Sequence, residues 1–153
     1  MSKLSTMLWF DGQAEEAAKF HASVFKKRAK VGKPMKGPDG KVLVVPIEID
    51  GFQFDLLNGG PEFKFNESVS FMVHCKDQKE VDYYWEKLTA DGGEESMCGW
   101  LKDKYGLSWQ VSATPLLQMV TSRDRKKADR AFAAMLQMKK LDIAELRRAF
   151  AGK

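Results

Sequence analysis

From Thr6 to Phe10 the chain is short, apolar and aromatic. In the following "DGQAEEAAKFHASVF", Ala14, Ala17, Ala18, His21 and Phe25 recur at helical spacing. A strand followed by a helix is therefore predicted. Next, "KVLVVPIEID" and "FQFDLL" flank Asp50-Gly51, among the strongest short hairpin signals. Pro46 cannot donate to a ladder, so its strand is predicted to lie at an edge or to carry an irregularity. With a short strand expected between Arg28 and Lys33, the first half reads strand, helix, short strand, hairpin.

The second half repeats this order. "SVSFMVHC" is predicted to be a strand, and "DQKEVDYYWEKLTADGG" a helix with Val81, Trp85 and Leu88 on one face, ended by Gly92-Gly93. A second hairpin follows through "DKYGLSWQV". Superposing the two hairpins on Gly51 and Gly106 sets Phe54 beside Trp109 and Asp55 beside Gln110. After Pro115 the pattern is helical: Ala128, Ala131, Phe132, Met135 and Leu136 form a stripe, and Asp142 with Glu145 forms a capping box for a last helix bearing Leu146 and Phe150. Met119, Met135 and Met138 are expected in the core or at a subunit contact.

Composition narrows the classes. The 153 residues suit one domain or two half-domains, and no apolar run approaches the roughly 18 residues that span a bilayer. The start, "MSKLSTMLWFDGQ", lacks a secretion segment, so a cytoplasmic location is expected, with Cys75 and Cys98 as reduced thiols. The net charge of +4 gathers in the last third, for instance at Arg123, Arg125, Lys126, Lys127 and Arg130. Asp124, Asp129, Asp142 and Glu145 are interspersed there, which points to a solvated helix face rather than to nucleic acid.

The segments "LWFDGQAEEAAKF", "LNGGPEFKFNESVSF", "EVDYYWEKL", "CGWLKDKYGLSWQV" and "AMLQMKKLDIAELRRAF" resemble the PhnB-like proteins of the vicinal oxygen chelate (glyoxalase/bleomycin resistance) superfamily, many of which carry the label 3-demethylubiquinone-9 3-methyltransferase. The resemblance implies an α+β fold of paired βαβββ modules curled around a cavity, commonly in a homodimer. The modules would span about 1–60 and 66–114 of a domain at 1–114, with a helical extension at 115–153. In metal-using members, residues of the first and last strands of each module grip a divalent ion. By alignment those places fall near Ser5 (or Thr6), Asp55, Ser68 and Gln110.

A catalytic divalent ion takes about three strong protein ligands. This set offers one carboxylate, so neither a metal nor another cofactor is expected. His74 shares the face of Ser68 by strand parity but stands about 20 Å away at about 3.3 Å per residue. His21 belongs to the helical pattern as a packing or surface residue. Parity places Ser108, Gln110 and Ser112 on one face of the last strand and Leu107, Trp109 and Val111 on the other. Gln53 and Asp55 share the equivalent polar face, which Met7 and Trp9 join if Ser5 does.

The expected ligand-binding set is Trp9, Gln53, Asp55, Ser68, Ser70, Ser108 and Gln110, suited to a neutral or cationic organic molecule. Asp55 is the group there able to act as general base. Cys98 reads as a passive thiol, with neither a helix N-terminus nor a nearby His to activate it. A methyltransferase of the common α/β kind needs a glycine-rich turn leading into a helix, whereas "LNGGPEF" continues into Pro61 and an aromatic residue. Two functions follow: a metal-independent protein holding a small organic molecule, or an enzyme on an aromatic or quinone-like substrate with Asp55 as base. Neither nucleic acid nor membrane is an expected partner.

Overall fold

The computed structural model describes residues 3–153 and divides into two units, Met1–Phe65 and Asn66–Lys153. In the first, β1 (Thr6–Phe10) leads to α1 (Ala14–Phe25), a 3-10 turn at Lys26–Arg28, β2 (Ala29–Val31), β3 (Met35–Lys36), β4 (Val42–Ile49) and β5 (Phe52–Asn58). The sheet order is β1-β5-β4-β2, with β3 also pairing β4. Strand β1 runs parallel to β5, Leu8 opposite Leu56, and the intervening chain includes the α1 crossover that a parallel pair requires. Ala14, Ala17 and Ala18 give α1 a flat flank that is buried together with Leu8, Phe10, Val45, Ile47, Phe54 and Leu56. His21 is buried among them as a packing residue. No side chain of Gln13 caps α1. Asn58 Oδ1 accepts from Ala14 N (2.9 Å), and Asn58 Nδ2 donates to Val42 O (3.1 Å).

Pro46 takes the second of its two predicted settings. It lies inside β4, paired with Asp55 of β5. On the other side the partner changes from β2, which ends at Val31 opposite Ile47, to β3, which begins at Met35 opposite Val44. Gly32 crosses that break and donates to Pro46 O (2.8 Å). A strand residue's N–H and C=O leave on the same side, so the donor proline lacks would have pointed into the break, where no ladder is lost.

The second unit repeats the order: β6 (Phe71–Cys75), α2 (Gln78–Thr89), β7 (Glu94–Glu95), β8 (Trp100–Lys102) and β9 (Ser108–Ala113), in sheet order β6-β9-β8-β7 with β6 parallel to β9. Asp77 caps α2 by accepting from Glu80 N (2.9 Å), and Val81, Trp85 and Leu88 are buried as the pattern requires. Two elements differ from expectation. The strand predicted from Ser68 begins at Phe71, because Ser68 N and Oγ both donate to Asn66 Oδ1 and hold that segment in a turn. Strand β7 was not predicted, since "EE" has no apolar alternation. It is held by pairing with β8 and by Trp85 Nε1 donating to Glu95 Oε1 (2.8 Å).

Helices α3 (Thr114–Val120), α4 (Arg125–Met135) and α5 (Ile143–Ala151) complete this unit. The predicted stripe of α4 is only half covered: Ala128 and Ala131 are buried, while Phe132 and Leu136 are exposed. Half of the predicted capping box forms. Asp142 accepts from Glu145 N (2.9 Å), but the Glu145 carboxylate pairs with Arg148 instead of reaching back. The helical segment is stitched to the sheet layer. Cys98 N donates to Met138 O (2.7 Å), Gly99 N to Lys139 O (2.8 Å), and the Gln78 amide bonds both Leu141 O (3.0 Å) and Ile143 N (2.8 Å). The chain is α+β, with two sheets and C-terminal helices, as the resemblance implied; the second module is βαβββ, and the first adds to that order the two-residue β3, which was not predicted. No helix among the described residues is long and apolar enough to cross a membrane.

Candidate functional site

In the first unit the sheet face turned away from α1 carries Met7, Trp9, Gln53, Asp55 and Leu57, set side by side by the pairings of Met7 with Asp55 and Trp9 with Leu57. Asp55 is half-buried and accepts from Ser5 Oγ (2.8 Å) and Gln53 Nε2 (3.3 Å). Thr6 is paired with buried Phe54 on the opposite face, so Ser5 is the residue that meets Asp55. Trp9 is fixed from three directions. Its Nε1 donates to Gly60 O (2.8 Å), its ring meets Phe63 edge-on at 4.9 Å, and Gly59 lies flat against the indole.

The second unit builds the same motif with different charge. Met72 pairs with Gln110 as Met7 pairs with Asp55, and the residue two before each methionine supplies a hydroxyl. Gln110 Nε2 donates to Ser70 Oγ (2.9 Å). The serine that answers to Ser5 is thus Ser70 rather than Ser68, whose alignment assumed an extended chain where the protein makes a turn. Ser108 and Ser112 share the face of Gln110 and are buried. Ser108 Oγ has no hydrogen-bond partner among the described residues. His74, opposite Ser112, is exposed.

Of the expected set, Trp9, Gln53 and Asp55 gather in one unit and Ser70, Ser108 and Gln110 in the other. Sequence reasoning missed Trp100 and Lys102, which pair with Gln110 and Ser108 and so share their face. Parity on "WLK" identifies them once the hairpin register is known. It also missed Asp103, which fixes that register: this buried carboxylate accepts from Tyr105 N (2.9 Å), Leu107 N (3.1 Å) and Trp109 Nε1 (3.0 Å).

The two free thiols differ sharply. Burial, aided by the Glu80 and Asp77 carboxylates, pushes Cys75 up to about 12, whereas Cys98 is half-buried in a left-handed turn (φ 60°). An aromatic disulfide reagent at neutral pH is expected to label Cys98 in the folded protein and Cys75 only after denaturation. Rapid labelling of the native Cys98→Ser variant, whose one remaining thiol is Cys75, read by mass spectrometry, would contradict this.

A family model described as 3-demethylubiquinone-9 3-methyltransferase matches residues 2–112. The chain belongs to this family. The PhnB protein from Bacillus cereus is 29% identical, covers 74% of this chain and 100% of its own, and superposes with a TM-score of 0.66. Two more distant structures share the fold. Protein PA1353 from Pseudomonas aeruginosa has 15% identity, 74% and 98% coverage and a TM-score of 0.58. A mutant of the genomically encoded fosfomycin resistance protein FosX from Listeria monocytogenes, complexed with Mn(II) and a dihydroxypropylphosphonic acid, has 18% identity, 71% and 90% coverage and a TM-score of 0.52. No curated protein matches the chain. Family and fold are those of the vicinal oxygen chelate superfamily.

The family's methyltransferase description finds no glycine-rich cofactor loop at "LNGGPEF". Residues 61–70 after the double glycine form neither helix nor strand, and Gly59 serves to let the Trp9 ring approach the backbone.

Proposed function

We propose that the protein binds a small organic molecule on the open sheet faces bearing Asp55 and Gln110, and does so without a metal ion. The observation that carries this reading is what occupies the superfamily's chelating register. Ser5 bonds Asp55, Ser70 bonds Gln110, and the four residues include one carboxylate. A divalent ion wants about three imidazole or carboxylate ligands to offset its lost hydration. Among the described residues no group of three or more His, Cys, Asp or Glu stands together for one. This donor set does not fit a divalent ion. It does suit hydrogen bonding to a ligand whose apolar part meets Met7, Trp9 and Leu57 or Met72 and Trp100.

Metal analysis of purified protein is expected to find well under one ion per chain, chelator to leave the melting temperature unchanged, and at least one member of a metabolite screen to raise it by mass action. One tightly held ion per chain, with a melting temperature that falls on chelation, would overturn the reading.

An enzyme acting on an aromatic or quinone-like substrate is the second reading. It is favoured by the half-buried Asp55, whose Ser5 and Gln53 partners leave it placed as a base. Asp55→Asn keeps the shape. It should leave affinity for a screened ligand within a few-fold if the protein only binds, and should abolish turnover if it is an enzyme.

A further inference from the structure

A cavity of about 140 Å³ opens on the second unit's sheet, lined by Glu67, Glu94, Glu95, Trp100, Lys102 and Ser108 with two further residues. The strand register explains its make-up. Glu94 pairs with Lys102, and Lys102 pairs with Ser108, so three side chains leave the sheet on one face. Lys102 Nζ lies 2.6 Å from Glu67, and Glu95 accepts from the Trp85 indole. Glu94 forms no ion pair among the described residues. The lining therefore holds three carboxylates against one ammonium. Its second feature is independent of charge: Ser108 is 1% exposed, and its Oγ is a buried donor and acceptor with no partner among the described residues. Such a group is costly to keep unless a ligand or an ordered water completes it.

We propose that this cavity takes the protonated amine of a small organic cation, with Glu94 and Ser108 Oγ accepting its N–H groups and Trp100 covering its carbon portion. This rests on the small-molecule reading above and assigns the ligand its chemical class. An anion would have to pull Lys102 away from Glu67 and lie beside two further carboxylates. A neutral molecule would displace water from Glu94, now exposed, without adding positive charge to a lining of three carboxylates and one ammonium. A cation meets both the excess of carboxylate over ammonium in the lining and the Trp100 indole, whose π system favours positive charge.

The test uses the full-length isotopically labelled chain titrated near neutral pH with benzylamine, benzyl alcohol and benzoate, followed by amide chemical shifts. Benzylamine is expected to shift amides in the 94–108 segment and to bind about threefold to fivefold more tightly than benzyl alcohol, the equivalent of one exposed charge contact. Glu94→Gln should remove most of that preference. Ser108→Ala separates a ligand contact from a structural one. It should weaken benzylamine binding while raising the melting temperature of the free protein by about 2 °C, because an unpartnered buried hydroxyl is lost.

Tighter binding of benzoate, no preference among the three probes, or a lowered melting temperature for free Ser108→Ala would each overturn the proposal. The two readings fail differently. A metabolite that stabilises the protein and shifts β1 and β5, while benzylamine leaves 94–108 unmoved, sinks the ammonium site and spares small-molecule binding. No stabilising metabolite together with no benzylamine response sinks both.

Discussion

Asp103→Ala is expected to cost about 3 kcal/mol of stability, or roughly 10 °C in melting temperature for a chain of this size. Asp103 is 2% exposed and accepts three hydrogen bonds, from two backbone amides and the Trp109 indole. Tyr105 N is near the surface and can turn to water. Leu107 and Trp109 are buried, and each donor left unpaired there costs about 1–3 kcal/mol. Asp103→Asn keeps one acceptor oxygen and should cost about 1 kcal/mol. Thermal melts followed by near-ultraviolet circular dichroism would read both, because Trp109 is itself a reporter. Equal stability of the alanine and wild-type proteins would show that the hairpin holds without this clamp. The consequence reaches the site, since the 103–107 turn fixes the pairing of Trp100 with Gln110 and Lys102 with Ser108.

Gly59→Ala should be the most damaging small change in the first unit. A Cβ at Gly59 would stand 2.3 to 2.6 Å from three atoms of the Trp9 indole, closer than carbon atoms can approach. The ring cannot retreat without breaking the Nε1 bond to Gly60 O and its edge contact with Phe63. Overpacking of this kind costs about 1–3 kcal/mol, and here the lost indole bond adds to it. Any ligand that uses Trp9 should lose affinity in step. Tryptophan fluorescence of Gly59→Ala should report a more exposed Trp9, and Trp9→Phe in the same background should recover stability by removing the clash. If the double variant is no more stable than Gly59→Ala, the clash is not the cause.

Much of the architecture was legible because the local signals agreed with the fold. Asp50-Gly51 closes the first hairpin, Val81, Trp85 and Leu88 face the sheet, and the repeat of strand, helix and hairpin predicted two like modules. What escaped was set by side chains bonding at short range or across strands. Ser68 reads as a strand residue by alternation, yet the Asn66 carboxamide captures both its amide and its hydroxyl, and no periodicity reveals that. Strand β7 is two glutamates that only a partner strand makes extended. Phe132 and Leu136 satisfy a helical stripe that the alanines of α4 bury and these two do not, because packing distance and not period decides which flank is covered. The site was legible as a list of faces. Its pairings, Ser5 with Asp55 and Ser70 with Gln110, needed the parallel registers of β1 with β5 and β6 with β9.

The matched family region and the folded unit end at different points. The family model's match ends at residue 112, but the backbone of Met138 and Lys139 and the ends of the Leu141–Ile143 segment are hydrogen-bonded into the layer around α2 and the Cys98–Gly99 turn. The tail beyond the shared region is therefore a cohesive part of the second module, and a change there can be felt at the turn that leads into Trp100.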